Sequence, residues 1–194
     1  MNLESHKSAI LGEIGLDKAA VNLDTREKFD WNTQVRIFLS QMDIATRLQR
    51  PVSIHSVQTH GYLLDYFMDL EASCKAAASQ RSSDHLPCPP TIMLHSFSAS
   101  KEVLSSLVRL KTIGSRFYFS YSDIVNGRTL KKTLERIAAT PENQLLIESD
   151  VHNVVDVPKA MDDVVDLVMK AKSWSREQVL EITTRNSLRF LRKL

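Results

Sequence analysis

The chain has 194 residues, of which 43% are hydrophobic and 25% charged, a composition that suits one globular domain and excludes a disordered tail. Its 25 basic and 23 acidic residues leave a formal charge of +2, which excludes the broad basic footprint of a general nucleic-acid binder. Two cysteines, Cys74 and Cys88, are too few for a disulfide framework, and they read as free thiols in a reducing compartment.

The N-terminal MNLESHKS lacks the basic and apolar runs of a secretory leader, and no apolar run reaches membrane-spanning length. The expectation is a soluble protein of the cytoplasm and/or nucleus, with no membrane partner. The first apolar run, ILGEIGLD at residues 10–17, reads as a buried strand, yet it carries Glu13 at its centre. Burying even an uncharged polar group without a partner costs about 2 to 7 kcal/mol, so this carboxylate needs one.

DWNTQVRIFLSQMDIATRLQRP follows, with Trp31, Val35, Phe38, Met42 and Ala45 at alternating steps of four and three, one stripe of an amphipathic helix that Pro51 ends. VSIH is a short strand, and residues 57–78 form a second helix with Leu63, Leu64, Phe67 and Leu70 apolar. Residues 79–90, SQRSSDHLPCPP, are polar and proline-rich and predict a surface loop. TIMLH is a third strand. Ser100 then caps the helix KEVLSSLVRLK, which ends before Gly114.

FYFSYS is a fourth strand, RTLKKTLERIAA a helix with Leu130, Leu134 and Ile137 on one face, and QLLIES a fifth strand. Two helices finish the chain, one with Pro158 in its first turn and one with Ser175 and Gln178 in capping-box spacing. Short apolar strands alternating with amphipathic helices predict a parallel sheet, because parallel neighbours need crossover connections.

Within this alternation the polar residues fall at or near strand ends: Glu13, His55 after VSI, His95 after TIML, and Asp150 after LLIES. In parallel α/β barrels the active site is built at the carboxyl ends of the strands. Two imidazoles and two carboxylates brought together there form a donor set for Zn²⁺, Mn²⁺ or a related ion. A cation would be the partner that Glu13 needs, and it would activate a water for hydrolysis.

ILGEIGLD, PVSIHSVQTHG, LHSFSAS, FYFSYS, LLIESD and TTRNSLRFL, in that order and spacing, resemble the signature segments of the TatD-type metal-dependent hydrolases, over nearly the whole chain. HSVQTHG and ESDVH are most similar to a fungal branch of that family. The resemblance implies an amidohydrolase-like TIM barrel acting as a deoxyribonuclease, with DNA as substrate and one or two divalent ions (Mg, Mn or Zn) per chain. It implies that Glu13 bridges two metals, that His55 and His95 complete one site, and that Asp150 serves the other and orients the attacking water.

By the same resemblance Asp17, Ser98 and Ser100 lie near the substrate, although Asp17 is equally suited to fixing the loop after GEIG and the two serines to capping a helix. His60, in the QTHG segment, is a further candidate near the substrate; His152 suits either the mouth of the site or, as the favoured reading, an exposed loop; His85 and Cys88 have ligand-like spacing but no companions. Lys101, Arg109, Lys111 and Arg116 offer phosphate contacts or an ordinary solvated helix face.

The family's opening His-x-His strand has no counterpart in this sequence, where His6 stands alone. The expected fold is therefore an α/β TIM-barrel-type metallo-hydrolase domain over residues 1–194, incomplete, with about five of the eight strand-helix units. A fragment, a truncated gene model and a natural loss all fit that pattern. An open barrel edge would invite self-association or a protein partner. Two other functions stay open beside the nuclease: a non-catalytic scaffold that keeps the barrel remnant, and a hydrolase of a small ester or amide.

Overall fold

The computed structural model describes residues 5–80 and 85–192. Five strands run through it: β1 (Leu11–Asp17), β2 (Val52–Val57), β3 (Ile92–Leu94), β4 (Phe117–Tyr121) and β5 (Leu145–Ile147). They form one sheet in chain order with every neighbouring pair parallel, so each connection crosses back over the sheet. The connecting helices are α1 (Trp31–Arg47), α2 (His60–Gln80), α3 (Lys101–Val108), and the short α4 (Asp123–Asn126) followed by α5 (Leu130–Ala139). After β5 come α6 (Val157–Lys172) and α7 (Arg176–Phe190). This is the five-unit parallel architecture that the hydrophobic pattern predicts.

The helices start where local chemistry starts them. Asp30 caps α1 by accepting from Thr33 N at 2.6 Å, and Ser100 caps α3. Ser175 and Gln178 close a reciprocal capping box on α7, and Pro158 sits in the first turn of α6. Such caps contribute about 1 kcal/mol each. The α1 stripe is buried at Phe38, Met42 and Ala45.

Strand alternation divides the side chains between two faces. On the outer face, Val52, Ile54, Ile92, Leu94, Phe117 and Phe119 pack beneath the helices against Phe38, Phe67, Leu104 and Val168. On the inner face, Met93, Tyr118 and Leu146 pack with Phe190 from the end of α7, Ile10 and Leu191. Register sets Ile54 beside Leu94 and Leu94 beside Phe119, so their successors His55, His95 and Ser120 form one inner layer, further toward the strands' carboxyl ends. The inner face is thus apolar below and polar above.

Several local boundaries differ from the pattern. β2 continues to Val57, so His55 lies inside the strand rather than at its end. α2 begins at His60 and runs through Gln80, taking in the first two residues of the expected 79–90 loop; residues 81–84 of that loop lie outside the described residues. α3 stops at Val108, because the Glu71 carboxylate accepts from Thr112 N and Ile113 N at 2.9–3.1 Å and draws the following backbone into a turn. The helix α4 and its 3-10 extension have no periodic signal; buried Asn126 holds them, accepting from Ser122 N and donating to Phe97 O. Cys74 and Cys88 are free and buried. Among the described residues no helix is long and apolar enough to cross a membrane.

Candidate metal centre

β1 breaks its regular pairing with β2 between Leu11 and Ile14, where the register shifts. An irregularity of this kind re-aims a side chain. Here it sets Glu13 on the inner side, next to the two histidines, while Ile14 and Leu16 stay in the outer core. Gly15 follows at φ +150°, and a Cβ there would fall 2.1 Å from His55 O. Only glycine lets β1 approach β2 this closely beside the site.

His95 is the hub. Its Nε2 stands 3.1 Å from Glu13 Oε1 and 3.3 Å from Asp150 Oδ1, and its Nδ1 is 2.9 Å from Glu148 Oε2. His55 lies with Nδ1 3.4 Å from Glu13 Oε1 and Nε2 3.5 Å from Asp17 Oδ2. One ligand atom each from Glu13, His55 and His95 fall within 4.8 Å of one another, a spacing that can hold a single ion. Asp150 stands just outside that triad, three residues past β5 at φ +52°, with Ser96 Oγ donating to its Oδ2 at 2.8 Å.

Glu148 is the residue that sequence reasoning missed. Its carboxylate takes the His95 contact, accepts from Ser96 N at 2.7 Å and Ser120 Oγ at 2.6 Å, and is mostly buried. A partial signal lies in LLIESD, where alternation puts residues 148 and 150 on one face, and in FYFSYS, where Ser120 and Ser122 interrupt an apolar run.

These contacts set the charges. The His55 hydrogen bond holds the Glu13 carboxyl below its ordinary value despite partial burial. His55 is raised in return, chiefly by that same bond. Burial opposes protonation of the His95 ring, yet the Glu148 hydrogen bond and the charges of Glu148, Glu13 and Asp150 together push it up to about 9. Burial likewise raises Glu148, but His95, Ser120 and the Ser96 N–H hold it lower than an ordinary carboxyl. Four carboxylates thus face the two imidazoles, and two of them, Glu13 and Asp150, line with the imidazoles a cleft of about 180 Å³ that no lysine or arginine lines. This excess of acidic oxygen with neutral-capable nitrogen fits a divalent cation.

The other candidates divide. Asp17 fixes the loop, its Oδ1 accepting from Ala19 N and Ala20 N, while Oδ2 faces His55. Ser100 is the α3 cap, accepting from Val103 N at 3.4 Å. Ser98 lines the cleft and pairs with His60 Nε2 at 3.3 Å; burial, then Arg136, keeps His60 below its ordinary pKa. His152 is exposed and does not line the cleft. Cys88 packs in the core beside Cys74, and neither it nor His85 joins a metal-ligating group among the described residues.

The model of the TatD related DNase family matches residues 2–192. The chain belongs to that family. It is 28% identical to the Cut9-interacting protein scn1 of Schizosaccharomyces pombe, over 98% of this chain and 64% of that protein. It is 24% identical to the uncharacterized metal-dependent hydrolase YabD of Bacillus subtilis, over 98% of this chain and 68% of that one. The crystal structure of YJJV, a TatD homolog from Escherichia coli K12, superposes with a TM-score of 0.65 at 22% identity, over 93% of this chain and 62% of that chain. This TatD-family chain therefore has the TIM-barrel-type fold, its described residues forming five of the strand-helix units. It spans about two thirds of the length of these relatives.

Proposed function

We propose that this TatD-family chain is a metal-dependent hydrolase that cleaves phosphodiester bonds, with DNA as its substrate. The observation that carries the reading is His95, tied by Nδ1 to Glu148 and turning Nε2 toward Glu13 and Asp150. Glu13, His55 and His95 would hold one divalent ion (Mg, Mn or Zn), and Glu13 with Asp150 would contribute to a second. When bound, such ions polarise a phosphoryl oxygen and bring the pKa of a water toward neutrality.

The protein's own groups supply the rest. Glu148 keeps the His95 ring in one tautomer and one orientation, the usual task of a carboxylate behind a ligating histidine. Asp150, braced by the Ser96 hydroxyl, would accept the proton of the attacking water. Ser98, which lines the cleft and is backed by His60 with its lowered pKa, would donate to a substrate oxygen. The family's description as DNases supports DNA over a small ester or amide.

The test is hydrolysis of a labelled single-stranded oligodeoxynucleotide with Mn²⁺ or Mg²⁺, compared with the same reaction in chelator. Metal-dependent cleavage that His95→Ala abolishes is the expected result; cleavage that persists in that variant, or none in the wild type, would remove the reading.

A second reading has its own support. The Schizosaccharomyces pombe relative is named for an interaction with Cut9, and here Leu23 and Phe29, in the loop after β1, and Val154 and Val155, in a short 3-10 turn after β5, are exposed. β1 and β5 each also have one strand neighbour among the described residues. A scaffold that docks a protein partner, or a second copy, on these elements would bind it equally well in the His95→Ala variant. We infer a site of action in the cytoplasm or nucleus for either reading.

A further inference from the structure

We infer that a groove between the start of α3 and α5 is a phosphate-binding subsite, which grips the backbone of a nucleic-acid strand next to the bond being cleaved. This rests on the nuclease reading above and extends it to substrate binding. The groove encloses about 410 Å³ and is lined by residues 98–102 together with Lys132, Glu135 and Arg136. Ser98 lines both this groove and the cleft of the metal centre, so the two are neighbours that share a wall.

Arg136 is the observation that points to an anion. Only 6% of its surface is exposed, and its guanidinium donates solely to uncharged acceptors: Ser98 O, Ala99 O, Thr133 Oγ1 and Thr129 Oγ1. Its Nε–H, also buried, has no acceptor. Among the described residues no carboxylate pairs with it. A buried cation without a counter-charge costs several kcal/mol, and an anion arriving in the groove offsets that cost.

The rest of the lining agrees. α3 opens here, so the positive end of its dipole faces the groove, and Lys101 and Lys132 add two exposed cations. The two acids present, Glu102 and Glu135, match the two lysines in number and leave Arg136 as the surplus cation; Glu102 hooks back to the Ser100 hydroxyl and its own N–H. The volume is several times that of one phosphate group, and the groove adjoins the metal cleft at Ser98. Both features suit a continuous strand rather than a free ion.

The experiment is a fluorescence-anisotropy titration of a labelled single-stranded oligodeoxynucleotide of about eight nucleotides, in chelator, over a series of salt concentrations. Arg136 also braces the backbone at Ser98 and Ala99, so the variants chosen are the exposed Lys101→Glu and Lys132→Glu combined. A Lys75→Glu/Lys170→Glu variant, outside the groove, makes the same change in net charge.

The groove variant should bind about tenfold or more weakly, with a slope of log Kd against log salt shallower by about 1, whereas the control should stay near wild type. Inorganic phosphate at millimolar level should compete only weakly; equal competition by phosphate would replace the strand with a free anion as ligand and overturn the inference. Equal loss in both variants, or no binding by the wild type, would also overturn it. Binding lost only in the groove variant, with no metal-dependent cleavage by the wild type, would leave the groove standing and remove the nuclease reading instead.

Discussion

Glu148 holds His95 by a contact of 2.9 Å at Nδ1, and through that contact it decides which way Nε2 faces. Removing it should therefore cost metal affinity without removing a ligand. Glu148→Gln is expected to weaken divalent-ion binding about 10- to 100-fold in calorimetric titration, while leaving the ion stoichiometry unchanged. Affinity equal to wild type would mean that the packing around His95, and not Glu148, orients the ring.

The same contact gives the metal-free chain a pH signature. His95 has a folded-state pKa near 9 against an ordinary 6.5, so its protonation stabilises the fold fully below about 6.5. That stability is lost as pH rises through about 9. Glu148, whose pKa is depressed, works at the other end: its contribution is present above its ordinary value and fades as pH falls through the folded value. Denaturant melts in chelator should show declining stability between about pH 6.5 and 9, and His95→Gln should flatten that decline. A wild-type profile that is flat over this window would contradict the charge arrangement.

Much of this was legible in the pattern of residues. The strand-helix alternation, the caps at Ser100 and Ser175 and the outer core residues follow from periodicities of 2 and 3.6, which local sequence carries. Glu13, His55, His95 and Asp150 were visible because a charged or ligating group beside an apolar strand is costly. Glu148 showed only its alternation with Asp150, because its worth lies in Ser96, Ser120 and His95, which are distant in sequence and brought together only by the parallel register. The turn that ends α3 was hidden for the same reason: Glu71, on another helix, takes the backbone donors.

Gly15 offers a test of the close approach between β1 and β2. A side chain there meets His55 O at 2.1 Å and must also adopt φ +150°, so no rotamer relieves the clash. Gly15→Ala is expected to destabilise the chain by about 3 kcal/mol or more and to disturb metal binding together with folding. Gly61→Ala meets nothing within 4 Å and serves as the neutral comparison in the same thermal melts.

Ser100 and Ser98 should separate cleanly, although both lie in LHSFSAS. Ser100→Ala removes the α3 cap and should cost about 1 kcal/mol in denaturant unfolding. Ser98→Ala leaves the helix start intact and should lower cleavage of an oligodeoxynucleotide with little change in stability, because its hydroxyl faces the cleft and His60. Equal behaviour of the two variants in both assays would remove the distinction drawn between them.

The most direct test of the central claim is the metal content of the purified chain, by elemental analysis after equilibration with Mn²⁺ or Zn²⁺, for wild type, Glu13→Ala and His95→Ala. The account predicts about one or two divalent ions per wild-type chain and loss of the tightly held ion in both variants, with circular dichroism unchanged. A folded wild type that retains no ion, or variants that retain as much as wild type, would contradict it.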